Sequence, residues 1–365
     1  VVQSLGPLGG ERRDSDVTSF NLQQLNLFLR RPLTPKTTAF VDLELVNTFS
    51  SARGWGSLNL NEAWVSYRMK RSLAFKLGLH VPPFNRLNEI KNRTPLLPYV
   101  VRPVIYETSF EEILALEDYL PARAFAQVSG TLPYDQVRLS YAAYLGNSGN
   151  INNNPIFGQT GVDTTATMLV GARVGARIGP LEVGLSGTRD GTARFQALGD
   201  SLGLAPGALR NVPRTRYGGD FQLLHGPWSL DAEIVHVTFD DDQATVSLQR
   251  TFYYATLGYE PRPGWLGYVT AWSTDETGRF RGPTTGALLD QESDVDVLGA
   301  GVSFAPTERL RLKAQYSLAW IGQDERVRGI APFFLPVPPV DVTAEAQGEI
   351  RQRTHVFGLA VSVIF

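Results

Sequence analysis

The sequence predicts an all-β fold, a transmembrane antiparallel up-and-down β-barrel of about 16 strands. Three observations predict it. Apolar residues alternate with polar or small ones along the chain, the joints between these segments alternate between short and long, and the last segment ends on an aromatic residue. Such period-two alternation is typical of strands whose two faces meet different environments. Because no linker or shift in composition interrupts the pattern, we expect residues 1–365 to form a single barrel domain.

The C-terminal segment shows the alternation most clearly. Small residues at 358, 360 and 362 oppose large apolar ones, which are Phe357, Leu359, Val361, Val363 and Phe365. This pattern suits a strand with lipid on one face and a crowded or wet lumen on the other. The terminal aromatic residue also resembles the closing strand of bacterial outer-membrane barrels. An edge strand of a soluble sandwich is the alternative for this segment taken alone.

The joints between segments fall into two classes. Short joints, rich in Pro, Gly or polar turn formers, lie at residues 31–36, 70–72, 132–135, 179–180, 225–227, 262–264 and 305–308. Longer joints lie at 50–58, 81–121, 147–163, 191–213, 276–292 and 323–349, with a brief one at 240–243. Short periplasmic turns and long external loops are expected of outer-membrane barrels. An even strand count then requires a short first strand within residues 1–8.

The longest joint, residues 81–121, is too apolar to extend freely into water. A long loop with its own hydrophobic residues normally packs against something. We expect this loop to fold into the barrel as a constriction or gate, lined by Arg86, Lys91, Arg93, Arg102, Glu107 and Glu111. The alternatives are that it caps the barrel mouth or packs on a neighbouring subunit.

The wall of the pore is predicted from charged residues on the inward face of the strands. Charges confined to one face indicate that this face is wet. The predicted lining residues are Asp42, Glu44, Glu62, Arg68, Lys76, Arg123, Arg138, Arg173, Arg177, Arg309, Arg311 and Lys313. Further inward carboxylates nearly balance the cations, and many of these charges are expected to pair. Because rings of charge set ion preference, we predict a weak anion preference at most.

Composition and motifs exclude most other chemistry. The chain has no Cys, which excludes disulfides, thiolate metal sites and Cys nucleophiles, and its net charge of −2 gives no attraction toward nucleic acid. The four His residues show no metal-binding spacing, so we expect no catalytic residue, metal or cofactor. The acidic run at 240–242 is interpreted as a solvated turn rather than a calcium site. A rim-site enzyme using His236 is the weakest alternative.

Four segments between residues 20 and 150 resemble the phosphate-selective porin O and P family of outer-membrane porins. They read LFLRRPLTPK at 27–36, LNEAWVSYR at 60–68, LGLHVPPFN at 77–85 and ARAFAQVSGTLP at 122–133. The resemblance implies a sixteen-strand, usually trimeric porin, some members of which select anions through Arg and Lys in the lumen. It fades after residue 150, and because the inward charges nearly balance, phosphate specificity is not predicted.

These observations predict a porin in the outer membrane of a Gram-negative-type bacterium, through which small hydrophilic solutes or ions diffuse passively. Expected partners are outer-membrane lipid, lipopolysaccharide and further copies of the chain in a trimer. The alternative is a scaffold barrel that anchors a surface or lumen protein. The Pro-rich segment at 331–340, inside the long external loop 323–349, favours that alternative because its exposed apolar side chains need a partner.

Overall fold

The computed structural model describes most of the chain. The described residues are 2–3, 17–18, 25–46, 57–90, 97–103, 122–148, 151–154, 158–163, 167–192, 195, 207, 209–241, 246–281, 288–328 and 345–363. They form one large antiparallel sheet, a separate two-stranded hairpin and one short helix. Within this part of the chain, no helix is long and apolar enough to cross a membrane.

The strands follow one another around the sheet in chain order. Their bounds are β1 (Val2–Gln3), β2 (Val17–Thr18), β3 (Leu25–Pro32), β4 (Thr37–Val46), β5 (Ser57–Lys70), β6 (Leu73–His80), β7 (Arg123–Tyr134), β8 (Val137–Gly146), β9 (Ile151–Asn154), β10 (Gly158–Asp163), β11 (Leu169–Ile178), β12 (Leu181–Thr192), β13 (Val212–His225), β14 (Trp228–Asp240), β15 (Val246–Arg262), β16 (Trp265–Arg281), β17 (Leu288–Thr307), β18 (Leu310–Arg328) and β19 (Glu345–Val363). The helix α1 spans Asn85–Ile90 and follows β6.

The pairing is that of an up-and-down barrel. Fifteen long strands, β3–β8 and β11–β19, each pair with the next, and β8 pairs with β11 because β9 and β10 form their own hairpin. The short β1 pairs with both the last strand and β2, placing Val2 opposite Phe357 and Thr18. The prediction of about 16 strands with a short N-terminal first strand is thus confirmed.

The turns also follow the prediction. Neighbouring described strands are joined by short turns at residues 33–36, 71–72, 135–136, 179–180, 226–227, 263–264 and 308–309. Gly179, Gly226 and Gly264 have positive φ angles there, of 55°, 56° and 84°. Such turns twist in the same sense as the strands they join, and glycine adopts them without steric cost.

Two predicted loops are shorter than expected. The ladder between β16 and β17 continues to the pair Arg281–Leu288, and that between β18 and β19 continues to Arg328–Glu345. Their bounds of 276–292 and 323–349 were therefore wrong. Where both faces of a strand meet water, apolar alternation no longer marks the strand. Cross-strand ion pairs still stabilise the strand pairing there, such as the one between Arg279 Nε and Asp290 Oδ1 at 3.1 Å.

The two faces of the sheet differ as predicted. Leu77, Leu185 and Val361 on the outer face are 67, 66 and 67% exposed, whereas Lys313 and Gln315 on the inner face are 4 and 3% exposed. Exposed apolar residues recur on the outer face of nearly every long strand, as lipid contact requires. Polar side chains on the lumen face are buried because other parts of the chain enter the barrel.

Candidate functional site

The segment after β6, which is part of the loop predicted at 81–121, folds into the barrel. Its described parts are residues 81–90 and 97–103, and Phe84 and Asn85 are fully buried. The first anchor lies at α1. The Asn85 backbone N–H donates to Ser186 Oγ on β12 at 3.0 Å, and the Leu87 N–H donates to Glu233 Oε1 on β14 at 2.6 Å. Side chains of the wall therefore satisfy donors at the start of α1.

A second anchor lies at residues 99–101. The Val100 and Val101 N–H groups both donate to Gln315 Oε1 on β18, at 2.8 and 3.0 Å, and Gln315 Nε2 donates to the Val101 carbonyl at 3.2 Å. Tyr99 donates its hydroxyl to Thr256 Oγ1 on β15 at 2.9 Å. Burial raises the pKa of Tyr99 well above its ordinary value, so the hydroxyl remains a donor at neutral pH. These bonds fix the loop against the wall.

Two glycines of the wall make room for the loop. A Cβ at Gly218 would lie 2.3 Å from Asn85 Oδ1, and one at Gly358 would lie 2.7 Å from Val100 Cγ1. Both distances are too short for real side chains, so glycine is required where the loop approaches the wall. Gly358 is one of the small residues predicted to face the lumen, and Val100 explains why it is small.

Replacing Gly358 by Leu is expected to displace residues 99–101 from the wall. The added side chain overlaps Val100, which weakens the hydrogen bonds to Gln315 and makes local opening easier. Chymotrypsin should then cut after Tyr99 at least about tenfold faster, which corresponds to about 1.4 kcal/mol of local stability. Mass spectrometry of briefly digested, folded protein would measure the rate.

The matched control is Gly267→Leu on β16, where an added Cβ would meet nothing within 4 Å. This variant should be cut after Tyr99 at the rate of the unaltered protein. Equal rates in all three proteins would show that Gly358 does not hold the loop.

A second inward contact was not predicted. Phe195, from the joint expected to lie outside at 191–213, is 5% exposed and packs edge-on against Phe239 at 5.4 Å between ring centroids. It also contacts Phe280 at 5.7 Å. The lumen faces of β14–β17 form an apolar surface around these rings. The sequences of these strands hold one signal that could have predicted the contact. Apolar residues such as Val237 and Phe239 lie on the lumen face, where residues in contact with water would be polar.

The predicted constriction residues are only partly described. Arg86 forms an ion pair with Asp231 on β14 inside the barrel, and Arg102 is half-buried at the end of the described segment. Lys91, Arg93, Glu107 and Glu111 lie outside the described residues. The ion pair of Arg86 places one predicted cation at the inner wall. The assignment of the full set to the constriction remains a prediction.

The predicted lining residues lie on the inward face of the strands and differ in how far they are buried. The buried ones are Asp42, Glu62, Arg123 and Lys313. The half-buried ones are Glu44, Lys76, Arg173 and Arg311. The exposed ones, Arg68, Arg138, Arg177 and Arg309, lie near the short turns, and Arg309 belongs to a turn itself. Their part in solute passage remains a prediction.

Many inward charges form ion pairs. Arg173 on β11 reaches Asp220 on β13 at 2.6 Å, crossing β12 at Gly184, where a Cβ would lie 2.3 Å from Asp220 Oδ2. Arg214 and Arg216 both contact Asp190, at 2.5 and 2.9 Å. The structure adds a further pair, Arg250 with Glu276, that the sequence did not indicate. Paired charges contribute a weaker electrostatic field to the lumen than isolated ones.

The acidic run at 240–242 supplies turn contacts. Asp241 Oδ1 accepts a hydrogen bond from the Val246 N–H at 3.2 Å, as expected of a polar turn former. Asp242 lies outside the described residues. No group of three or more His, Cys, Asp or Glu side chains in the described part of the chain could hold a metal ion.

Comparisons with known proteins bear on the fold. A scan against protein-family models finds no match, and a search of curated proteins finds no relative. The resemblance to the phosphate-selective family therefore gains no support from them. The barrel is similar to the anion-selective porin from Comamonas acidovorans, with a TM-score of 0.55 and 12% identity over 93% of this chain and 89% of that one.

Two further solved structures show the same likeness. In-vitro folded OmpT, an outer membrane protein of Vibrio cholerae, has a TM-score of 0.52 and 11% identity over 93% of this chain and 88% of that chain. Its trimer form has a TM-score of 0.51 and 12% identity over 93% and 90%. At these identities the likeness is one of fold. The chain has the barrel architecture seen in outer-membrane porins.

Proposed function

We propose that this protein is an outer-membrane porin through which small hydrophilic solutes and ions diffuse passively. The observation that carries the proposal is the segment after β6, whose described residues are held inside the barrel at α1 and again at residues 99–101. A loop fixed within a wide barrel narrows the lumen without covalent chemistry. The likeness to a porin from Comamonas acidovorans supports the same reading.

The fold supports a location of the protein in a membrane. The exposed apolar outer face suits the lipid of a Gram-negative-type outer membrane, with lipopolysaccharide around the external strand ends. A trimer is supported by the trimeric form of the similar Vibrio cholerae protein and by the implied family resemblance. Because the outer face is apolar on nearly every long strand, any of several wall segments could meet lipid or another copy.

Selectivity is proposed to be weak. Arg86, Arg173, Arg214 and Arg250 each have a carboxylate partner inside the barrel, so these cations do not form an uncompensated ring. Arg102, Lys91 and Arg93, which are close together in the sequence, are proposed as the source of a slight anion preference. Phosphate specificity is not part of the proposal.

The test is the current through purified protein in a planar bilayer under a salt gradient. Discrete conductance steps with a small anion-leaning reversal potential are expected. Arg102→Glu should lower the ratio of anion to cation permeability by at least about twofold, because it reverses a charge in the narrow region. The matched control is Arg353→Glu on the outer face of β19, which should leave the ratio unchanged.

Absence of conductance from folded protein would contradict the porin proposal. Folding is verified independently by the heat-dependent shift in gel mobility that intact barrels show. In that case the scaffold alternative, with a partner protein at the surface or in the lumen, would become the better explanation.

A further inference from the structure

The periplasmic end of the barrel carries an unbalanced group of cations on one side. Two neighbouring short turns, at residues 33–36 between β3 and β4 and at 71–72 between β5 and β6, are flanked by exposed basic residues. These residues, which we call the basic rim, are Arg30, Arg31, Lys36, Arg68, Lys70 and Arg71. None of them forms an ion pair with another residue in the described part of the chain.

The basic rim also lacks acidic residues close to it in the sequence. Residues 17–41 and 63–88 contain no Asp or Glu. Four of the other five short turns, in contrast, have a carboxylate within three residues of the turn. These carboxylates belong to Asp135, Glu182, Glu260 and Glu308. The uncompensated positive charge at this end of the barrel is therefore concentrated beside β3–β6.

Hydrogen bonds fix the two turns of the basic rim side by side. Thr34 Oγ1 accepts from the N–H groups of Lys36 and Thr37, at 3.2 and 3.0 Å. The Arg68 N–H donates to the Lys36 carbonyl at 2.8 Å, which joins the first turn to β5. The backbone that carries the cations is thus ordered before any ligand arrives, so binding has to order side chains only.

One edge of the basic rim belongs to the lipid-facing surface. Residues directly opposite each other in an antiparallel pair lie on the same face of the sheet. Arg31 lies opposite Ala39, and Ala39 lies opposite Val65. Val65 in turn lies opposite Leu77, which is 67% exposed on the outer face. The Arg31 side chain is therefore on the outer face, in one row with apolar residues that meet lipid.

Exposed apolar side chains lie directly beside these cations. Tyr67 follows Val65 by two residues, so it shares the outer face, and it is 44% exposed. Leu33 and Met69, next to the two turns, are each 55% exposed. Basic residues next to exposed apolar and aromatic ones suit the boundary between acyl chains and headgroups, where each group finds its own environment. An acidic protein in solution would not require this apolar border.

We propose that the basic rim binds the phosphate groups of anionic phospholipids in the inner leaflet of the outer membrane. The short turns of such a barrel lie on the periplasmic side, at the level of the headgroups of that leaflet. Arginine binds phosphate oxygens through paired N–H groups, and lysine adds a point charge. Groups of basic residues beside a membrane-spanning segment attract anionic lipids. The proposal concerns contact with the membrane and does not depend on the passage of solutes.

Three members of the basic rim are placed to contact the lipid. Arg31 faces the acyl chains, and Lys36 and Arg71 belong to the turns themselves. Arg30 and Arg68 alternate to the lumen side of their strands, so they strengthen the local positive potential rather than touch the headgroup.

The test is native mass spectrometry of the purified, folded full-length chain in detergent. The protein is titrated with dioleoylphosphatidylglycerol, which is anionic, and with dioleoylphosphatidylcholine, which is zwitterionic. We expect the anionic lipid to bind at least about tenfold more tightly. In the triple variant Arg31→Gln, Lys36→Gln and Arg71→Gln, the two affinities should lie within about twofold of each other, because the cations that contact phosphate are gone. All three residues are exposed, so the variant retains its fold.

The matched control is the triple variant Arg138→Gln, Arg177→Gln and Arg309→Gln. It removes the same charge from exposed residues at the same end of the barrel, beside turns that already have a carboxylate nearby. This control should keep the preference for phosphatidylglycerol.

Three results would overturn the proposal. The first is equal affinity of the unaltered protein for the two lipids. The second is an equal loss of preference in both triple variants, which would show that total charge matters and that the basic rim is not a site. The third is tighter binding of a short polyglutamate peptide than of phosphatidylglycerol, with the tighter binding lost in the Arg31, Lys36 and Arg71 variant. That result would assign the basic rim to an acidic periplasmic protein.

Discussion

Replacing residues 85–101 by a short Gly-Ser linker is expected to raise single-channel conductance by at least about twofold. The reason is geometric. This segment includes α1 and both anchors. Its buried residues occupy lumen space against the wall, and they are Asn85, Leu87, Asn88, Leu97, Tyr99 and Val100. A linker without Asn85, Leu87, Tyr99 and Val100 cannot form the bonds to the wall, so the lumen widens. Planar-bilayer recording of the variant measures the change.

The control replaces residues 242–245, the joint between β14 and β15, by the same kind of linker. It should leave conductance unchanged, because it alters none of the loop anchors. If loop replacement left the conductance of a folded, heat-modifiable barrel unchanged, the loop would not be the narrowing element.

Replacing Asp190 by Asn is expected to destabilise the barrel by about 3–5 kcal/mol. Asp190 accepts from Arg214 Nε at 2.9 Å and from Arg216 Nη1 at 2.9 Å, and the side chains of all three residues are at most 3% exposed. Removing the negative charge leaves two buried guanidinium groups without the ion that compensates them. Urea titration of protein folded in lipid vesicles, followed by tryptophan fluorescence, measures the loss.

Two matched variants sharpen this test. Asp290→Asn removes the carboxylate of an exposed pair with Arg279, whose side chain is 62% exposed, and should cost no more than about 1 kcal/mol. Replacing Asp190, Arg214 and Arg216 together by apolar residues should recover much of the loss, since no buried charge remains. Equal stability of Asp190→Asn and the unaltered protein would show that the cluster is solvated.

Much of the fold was predictable because local alternation is enough to assign strand faces. Leu77 and Lys76, or Leu312 and Lys313, are neighbours in sequence that reach opposite sides of the sheet. The short turns were predictable for a similar reason, since Gly179–Pro180 and Gly226–Pro227 are strong turn formers by themselves. The inward fold of the loop at 81–121 was predicted from its apolar content, and its described residues 81–90 and 97–103 lie against the lumen wall.

Other features depend on residues that are distant in sequence. Arg173 and Asp220 meet across β12 only because Gly184 between them has no side chain. Phe195 reaches Phe239 and Phe280 from a joint that was expected to lie outside. The extension of β16–β19 beyond the apolar band was likewise missed. There the strands are held by charged cross-strand pairs, so the sequence of a single strand shows no alternation of apolar and polar residues.

The sequence by itself determined the strand periodicity, the inward and outward faces, the short turns and the presence of an apolar loop that had to be buried. Each of these rests on interactions between a residue and its solvent or its near neighbours in the chain. Only the tertiary structure decided where the loop docks and which charges neutralise one another. Those outcomes depend on distances across the barrel, which strand register and barrel curvature set together.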